Sequence, residues 1–395
     1  MASSTVTGVP LQPTPASSAL LDELLGQVCD ALQISTTQYQ RAVEHYEAVG
    51  RWLGDEETPL AKYNPRIYPQ GSMVLQTTTR PWTDEDTYDL DFVLEMDAPD
   101  ADPMTLYGMV ERRLLQHGTY GKLLERKRRC LCLNYTEDDG VFHMDILPAR
   151  EDVVRTTTCK IGRCIEVPDR IERECWQPSN PLGYIAWFHT RAERGLLLER
   201  AEVAPLPDNA PARAKAVLKR AVQLIKRRRD LVFRDRRDDA PRSVLLTTLA
   251  GIHYQGQLDV ATAVLAILDG TVLEISEAAP GRIIVCNPTN ADERFCESFK
   301  TDKQYELFKE FVEQFRDEMR GLLRVSGLPK LQTIMGAMFG EKVTSRVLTE
   351  YASRISAARE GGTLRVEESG GPATIRRAAA ASSGIVVPKN TFFGE

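Results

Sequence analysis

Two aspartates lie two residues apart at the start of an apolar stretch. Residues 89–96 alternate between one set that begins with Asp89 and Asp91 and a fully apolar set, Leu90, Phe92, Leu94 and Met96. This period of two predicts a half-buried strand with both carboxylates on one face. Ionised carboxylates this close repel each other unless a cation lies between them, and oxygen ligands suit a hard divalent ion such as Mg²⁺.

A third carboxylate stands on a second alternating stretch. In residues 141–147, Val141, His143 and Asp145 share one face. A pair of metal ions needs a further acidic ligand, and Asp145 is the candidate.

A small-residue turn precedes the acidic strand. Gly71 lets the backbone approach a ligand closely, and Ser72 offers a hydroxyl and an N–H that suit a phosphate. Gly-Ser pairs are common in turns, and Asp-x-Asp occurs on many solvated strand faces. The order of the three pieces therefore carries more weight than any one of them.

That order, Gly71-Ser72, then Asp89-Leu90-Asp91, then Asp145, resembles the DNA polymerase β-like nucleotidyltransferases. Three segments narrow the resemblance: Tyr-Pro-Gln-Gly-Ser at 68–72, Asp-Glu-Asp-Thr-Tyr-Asp-Leu-Asp-Phe-Val at 84–93, and His-Met-Asp-Ile-Leu-Pro-Ala at 143–149. They look like the bacterial cGAS/DncV-like nucleotidyltransferases (CD-NTases), relatives of cyclic GMP-AMP synthase and oligoadenylate synthase.

The resemblance implies a fold, an activity and a set of ligands. The fold would be α+β, with a mixed nucleotidyltransferase sheet, flanking helices, a helical C-terminal subdomain like that of oligoadenylate synthase, and the active site in the cleft. The enzyme would join NTPs, with purines favoured, into a cyclic di- or trinucleotide and release pyrophosphate. Two Mg²⁺ ions, or Mn²⁺ instead, would be held by Asp89, Asp91 and Asp145. The product would signal to a separate effector protein in anti-phage (CBASS) defence.

Residues for the donor triphosphate come from the turn and from a basic helix. Gln70, Gly71 and Ser72 form the turn, while Lys215, Lys219 and Lys226 share one stripe of a helix predicted over 212–229. From spacing alone, that stripe could equally be a solvated face. The resemblance favours Lys226, and it adds Ser243 at the start of the next helix, where free N–H groups attract phosphate. A plain N-cap is the alternative for Ser243.

Other periodic stretches supply the elements around this site. They predict one or two helices over 18–53, a helix from Asp102 to Gly118, a strand around Leu131 and Leu133 next to a basic run at 122–129, and helices over 182–198, 302–325 and 329–356. The basic run is either a solvated face or a nucleotide contact. Residues 271–286 are interpreted as a hairpin, and the segment from Asn287 to Phe295 resembles one in oligoadenylate synthase, with different spacing.

These elements suggest four parts. Residues 1–17 form a disordered tail, 18–205 the nucleotidyltransferase core with N-terminal scaffold helices, 206–358 the helical subdomain, and 359–395 a flexible tail. A proline-rich stretch at 204–211 marks the boundary. Some relatives are joined through their C-terminus to other molecules by ubiquitin-transfer-like enzymes, so the tail is a candidate for such conjugation.

Composition limits the partners and the location. A net charge of −6 over 395 residues gives no global attraction for long nucleic acid. The eight cysteines form no framework, so free thiols are expected; Cys159 and Cys164 with Cys175 and His143 or His189 could hold zinc only at an unusual spacing. The first nineteen residues do not resemble a signal peptide, and we expect a cytoplasmic monomer.

Two other functions fit part of the pattern. A template-independent nucleotidyltransferase could modify RNA or protein, and an inactive nucleotide-binding scaffold would need no catalysis. RNA tailing would call for a basic groove and salt-sensitive binding. The three acidic residues argue against the inactive scaffold.

Overall fold

A computed structural model describes residues 15–81, 87–137, 140–157, 159, 161–172, 175–192, 215–296, 299–325, 327–361, 365–366 and 385–386. Its main sheet has seven strands in the order β1-β2-β5-β4-β3, with β6 pairing to β5 and β7 to β6. The strands are β1 (Arg66–Gln70), β2 (Thr87–Met96), β3 (Leu124–Arg126), β4 (Leu131–Glu137), β5 (Gly140–Glu151), β6 (Ile165–Pro168) and β7 (Trp176–Ser179). Two small ladders pair β8 (Cys286–Asn287) with β9 (Asn290–Arg294), and β10 (Arg365–Val366) with β11 (Ile385–Val386).

The described chain also has helices, some on this sheet and others in a separate helical core. They are α1 (Pro15–Ala31), α2 (Thr36–Gly54), α3 (Gly71–Val74), α4 (Pro103–Leu115), α5 (Tyr120–Leu123), α6 (Val153–Thr156), α7 (Pro181–Ala192), α8 (Val217–Val232), α9 (Ser243–His253), α10 (Val260–Ala278), α11 (Asp302–Leu322), α12 (Leu328–Phe339) and α13 (Glu341–Glu360). The mixed sheet with flanking helices confirms the predicted α+β fold.

One hydrophobic core lies between the sheet and two helices. The apolar faces of α2 and α4 pack on the alternate residues of β2 that the pattern had placed inside, among them Leu90, Phe92 and Leu94. Both helices begin at a side-chain cap: Ser35 and Gln38 form a capping box for α2, and Asp102 accepts the N–H groups of Met104 and Thr105 for α4.

A second core is helical. It joins the C-terminal helices α8 to α13 to α1 and α7. Two of these helices, α1 and α7, precede residue 205, so packing does not divide the chain at that position. The proposed four-part division stays a prediction.

Several predicted elements differ from the structure. The hairpin at 271–286 is wrong: residues 271–278 continue α10, because Ile267, Thr271 and Ile275 extend its buried stripe at helical spacing. Residues 15–17 of the expected N-terminal tail belong to α1, and α13 continues two residues into the expected C-terminal tail. Residues 1–14, the linker at 204–211, and most of 359–395, including its conjugation candidate, lie outside the described residues.

Cysteine pairing also departs from expectation. Cys159 and Cys164, whose Cα atoms are 6.5 Å apart across the loop between α6 and β6, form a disulfide. The expected free thiols are therefore wrong for this pair, and it does not bind zinc in this form. Among the described residues, the other six cysteines are not in disulfides. Within the described ranges, no helix combines the length and apolarity needed to cross a bilayer.

Candidate active site

The three predicted carboxylates meet on adjacent strands. β2 and β5 run parallel, and their register pairs Asp91 with Asp145 and Asp89 with His143. The alternation that buries Leu90 and Phe92 directs the aspartates to the opposite face of the sheet. Asp145, which is 54 residues after Asp91 in sequence, is thus its immediate neighbour in the sheet.

The turn at Gly71 is fitted to this acidic pair. β1 is antiparallel to β2 and pairs Gln70 with Asp91, after which the chain turns sharply into α3. Gly71 has φ of +72°, and a methyl group there would overlap the Asp91 carboxylate, with Cγ only 2.9 Å away. Glycine is required at this position on both grounds.

Charge in the acidic cluster is only partly balanced. Burial, and then the charges of Asp89 and Asp145, raise the pKa of Asp91 well above its usual value. Asp145 accepts hydrogen bonds from Lys127 Nζ at 2.9 and 3.2 Å, and Asp89 lies 3.4 Å from Nδ1 of His143. Although burial alone would lower the pKa of Lys127, its ion pair with Asp145 raises it.

The chemical types in the acidic cluster suit a hard divalent ion, but the side chains are not yet arranged around one. Its ligands are carboxylate oxygens, and their mutual repulsion is what a cation would relieve. Within the described part of the chain, however, no three His, Cys, Asp or Glu side chains are already arranged as a metal site. Lys127 pairs with Asp145 and competes with a metal for that carboxylate.

Phosphate-binding candidates face the acidic cluster across a cleft. Ser72 Oγ lies 3.0 Å from Thr78 Oγ1, and Lys226 Nζ donates to the Thr77 carbonyl at 3.1 Å. Burial, and then the charge of Arg229, lower the pKa of Lys226 to about 8. Ser243 is the first residue of α9 and Arg242 is its N-cap residue, so the plain N-cap alternative for Ser243 is wrong.

The other two lysines of the predicted stripe have structural contacts. Lys219 Nζ donates to Gln76 Oε1 at 2.9 Å, and Lys215 Nζ donates to Gln33 Oε1 at 2.6 Å. Neither lines the cleft. Of the stripe, only Lys226 reaches the acidic cluster's cavity.

The eight residues singled out for the site line one cavity of about 510 Å³. These are Gln70, Gly71, Ser72, Asp89, Asp91, Asp145, Lys226 and Ser243. Its remaining walls come from the segment after α3 and from β7, α7, α9, the β8–β9 ladder and the residues next to them: Leu75, Thr77, Ser179, Pro181, Tyr184, Ile185, Arg242, Val244, Thr247, Asn287, Glu293 and Phe295. A second cavity of about 270 Å³ shares Ser72, Asp89, Lys226 and Ser243 with it and is lined further by arginines.

The sequence patterns did not single out several residues that line this cleft or contact its aspartates. Lys127 was only one member of a basic run, and no spacing shows that β3, β4 and β5 fold back to set it beside Asp145. Glu293 belonged to the segment likened to oligoadenylate synthase but had no assigned role. It accepts from Ser179 Oγ, the Asn180 N–H and Asn287 Nδ2, at 2.7 to 2.9 Å, and so ties the β8–β9 ladder to β7 and α7. The acidic residues at 84–86 lie outside the described residues.

Known proteins are similar to this chain in sequence and in fold. The model of the Second Messenger Oligonucleotide or Dinucleotide Synthetase (SMODS) domain matches residues 21–191. A c-di-GMP synthase of Roseivirga ehrenbergii is 30% identical over 97% of this chain and 99% of its own. The chain belongs to the bacterial cGAS/DncV-like nucleotidyltransferases. It is thus a CD-NTase, an enzyme of the family that synthesises cyclic oligonucleotides.

Two more relatives of this CD-NTase agree with that assignment. The cyclic dinucleotide synthase CdnG of Bradyrhizobium diazoefficiens is 26% identical over 89% of the chain and 88% of its own. A structure of B. diazoefficiens CdnG in complex with GTP superposes with a TM-score of 0.68, at 26% identity, over 84% of this chain and 99% of that one. The Vibrio cholerae cyclic AMP-GMP synthase DncV has the same fold, with a TM-score of 0.52 at 16% identity over 84% and 88% of the two chains.

Proposed function

We propose that this CD-NTase joins two GTP molecules into cyclic di-GMP, which then signals to a separate effector protein in anti-phage defence. The observation that carries the proposal is the convergence of Gly71-Ser72, the three aspartates, Lys226 and Ser243 on one cavity. The choice of guanine is supported by a relative named as a c-di-GMP synthase and by a relative's structure with GTP.

The donor nucleotide would lie with its triphosphate between the turn and α8. The Ser72 hydroxyl and the ammonium of Lys226 would bind its phosphate oxygens, with Ser243 at the start of α9. These groups would neutralise the charge that develops on the departing pyrophosphate. Gln70, next to Asp91 in the sheet, lines the same wall.

The acceptor hydroxyl would be activated on the Asp145 side. Its oxygen forms a bond to the α-phosphorus of the donor, the bond to pyrophosphate breaks, and Asp145 takes the hydroxyl proton. Asp89, Asp91 and Asp145 would hold two Mg²⁺ ions, which lower the pKa of the hydroxyl and stabilise the charge on the phosphates. A second transfer in the same cleft closes the ring.

The test is product analysis with a matched pair of variants. We expect purified protein with GTP and Mg²⁺ or Mn²⁺ to form a phosphatase-resistant cyclic product and pyrophosphate. Asp89→Ala combined with Asp91→Ala removes the carboxylates that hold the metals, so synthesis should fall below detection. The double variant should keep its fold, with equal or higher stability without metal because the repulsion is gone.

Asp317→Ala is the control, because this α11 carboxylate has a side chain 64% exposed and lies outside the cleft lining. It should leave synthesis unchanged. Full synthesis in the double variant would overturn the metal assignment. Elongation of added RNA would indicate the tailing alternative, and no product with any NTP would indicate the inactive scaffold.

A further inference from the structure

The guanidinium of Arg242 has no partner of opposite charge within the part of the chain that the structure describes. Arg242 lines the cavity of the acidic cluster, next to Ser243 in sequence. Among the described residues, its side chain makes no hydrogen bond or ion pair, whereas neighbouring arginines do. Burial, and then the charges of Arg129 and Arg128, lower its pKa, so the three cations lie close enough to repel one another.

The neighbouring arginines are largely neutralised by two carboxylates: Asp169 pairs with both of them, and Glu172 lies 3.3 Å from Arg128. Arg128 donates to both oxygens of Asp169 at 2.9 and 2.8 Å, and Arg129 Nε donates to Asp169 Oδ2 at 3.4 Å. Asp169 is fully buried. These ion pairs hold Arg128 and Arg129 in place beside Arg242, and the Arg242 guanidinium itself remains available for a ligand.

The position of Arg128 and Arg129 along the chain connects them to the acceptor end of the cleft. Lys127, which pairs with Asp145, precedes Arg128 and Arg129 in the turn between β3 and β4. Asp145 is the carboxylate that we assign to the acceptor hydroxyl. The donor triphosphate already has Ser72, Lys226 and Ser243, but a second nucleoside triphosphate brings its own negative charges into the same cleft.

We propose that Arg242, supported by Arg129, is a second phosphate subsite that binds the triphosphate of the acceptor nucleotide. The inference rests on the proposed function, since it requires two nucleotides in the cleft at once. A guanidinium binds phosphate oxygens through two parallel N–H donors, so it would fix the acceptor's 5′ end as well as attract it.

The experiment separates the two nucleotides chemically. The donor is 2′,3′-dideoxy-GTP, which has no hydroxyl to act as acceptor. The acceptor is either GMP or guanosine 5′-(α,β-methylene)triphosphate, neither of which can donate its α-phosphate. Each reaction stops after one transfer and releases one pyrophosphate. For Arg242→Gln we expect the KM of the triphosphate acceptor to rise about 10- to 100-fold, with the KM values for GMP and for the donor unchanged.

Arg242→Lys should restore part of the affinity because it keeps the charge. Arg346→Gln is the control: its side chain is 52% exposed on α13, away from the cleft. An increase in the donor's KM, or equal increases for GMP and the triphosphate acceptor, would overturn the assignment.

A binding measurement makes the result independent of turnover. With labelled methylene triphosphate and Ca²⁺ in equilibrium dialysis, two binding sites of wild-type protein should become one in Arg242→Gln. If the wild-type protein shows no transfer, but Arg242→Gln binds one nucleotide fewer than wild type, then the proposed synthesis is wrong and the subsite is supported. If the number and affinity of the sites do not change, the subsite is wrong even where synthesis is observed.

Discussion

At the scale of single residues, the site is set by close fits that composition alone does not reveal. The three aspartates and Gly71 could be chosen from sequence because the order of the Gly-Ser turn, the Asp-x-Asp pair and the third aspartate resembles that of a known family. The partner of Asp145 could not be chosen, because Lys127 and its basic neighbours look alike until the sheet assigns each its own carboxylate: Lys127 to Asp145, Arg128 to Asp169, Arg126 to Glu111.

Gly71→Ala tests the fit between the turn and the acidic pair. The added methyl group meets the Asp91 carboxylate at a backbone conformation that L-residues rarely adopt. We expect a loss of about 1–3 kcal/mol in unfolding free energy and a large loss of synthesis. Gly321→Ala in α11 is the control, because nothing lies within 4 Å of its added carbon; it should be neutral or slightly stabilising. Equal effects of the two substitutions in urea unfolding would contradict the steric argument.

At the scale of elements, sequence patterns succeeded where one periodicity dominated. The strand at 89–96 and the helix α11 lie where the patterns indicated. The helical stretch predicted over 329–356 is divided at Gly340 into α12 and α13, and α13 ends four residues later than predicted. The pattern failed at 271–286 because Thr271, Val272 and Ile275 favour strands by type. Packing of α10 against its helical neighbours overrode that preference.

At the same scale, a hydrogen bond joins α8 to the turn after α3, and no sequence pattern predicts it. The Gln223 amide, fully buried, donates to the Thr78 carbonyl at 2.7 Å and accepts from Gln33 Nε2 at 3.1 Å. It thereby holds Lys226, one turn further along α8, against the segment that follows Ser72. The position of the phosphate-binding groups depends on this contact.

Gln223→Ala should therefore affect both stability and substrate binding. It leaves a buried carbonyl without its side-chain donor, which we expect to cost about 1–3 kcal/mol of unfolding free energy. The KM for GTP should rise, because the ammonium of Lys226 and the hydroxyl of Ser72 lose their fixed separation. Gln332→Ala, an exposed glutamine on α12, is the control. An unchanged KM with reduced stability would restrict Gln223 to a structural role.

At the scale of the whole molecule, the first two helices belong to different cores. α2 packs on the sheet that carries the aspartates, whereas α1 packs among the C-terminal helices that carry Lys226 and Ser243. Asp22 accepts the N–H of Val260 at 2.8 Å, and Glu23 pairs with Arg354 at 2.7 Å. Since only four residues separate α1 from α2, the N-terminal segment ties the two walls of the cleft together.

Leu25→Ala tests whether α1 is integral to the wall that binds phosphate. Leu25 is fully buried in the helical core, so the truncation should lower the unfolding free energy by about 2–5 kcal/mol. Because α8 and α9 stand on the same core, we also expect weaker binding of GTP. Leu258→Ala removes the same atoms from a side chain that is 93% exposed, and it should change stability by less than about 0.5 kcal/mol. If chemical denaturation gave the two variants the same midpoint, α1 would be an appendage, and the cleft would have to be held together by α7 and the β8–β9 ladder instead.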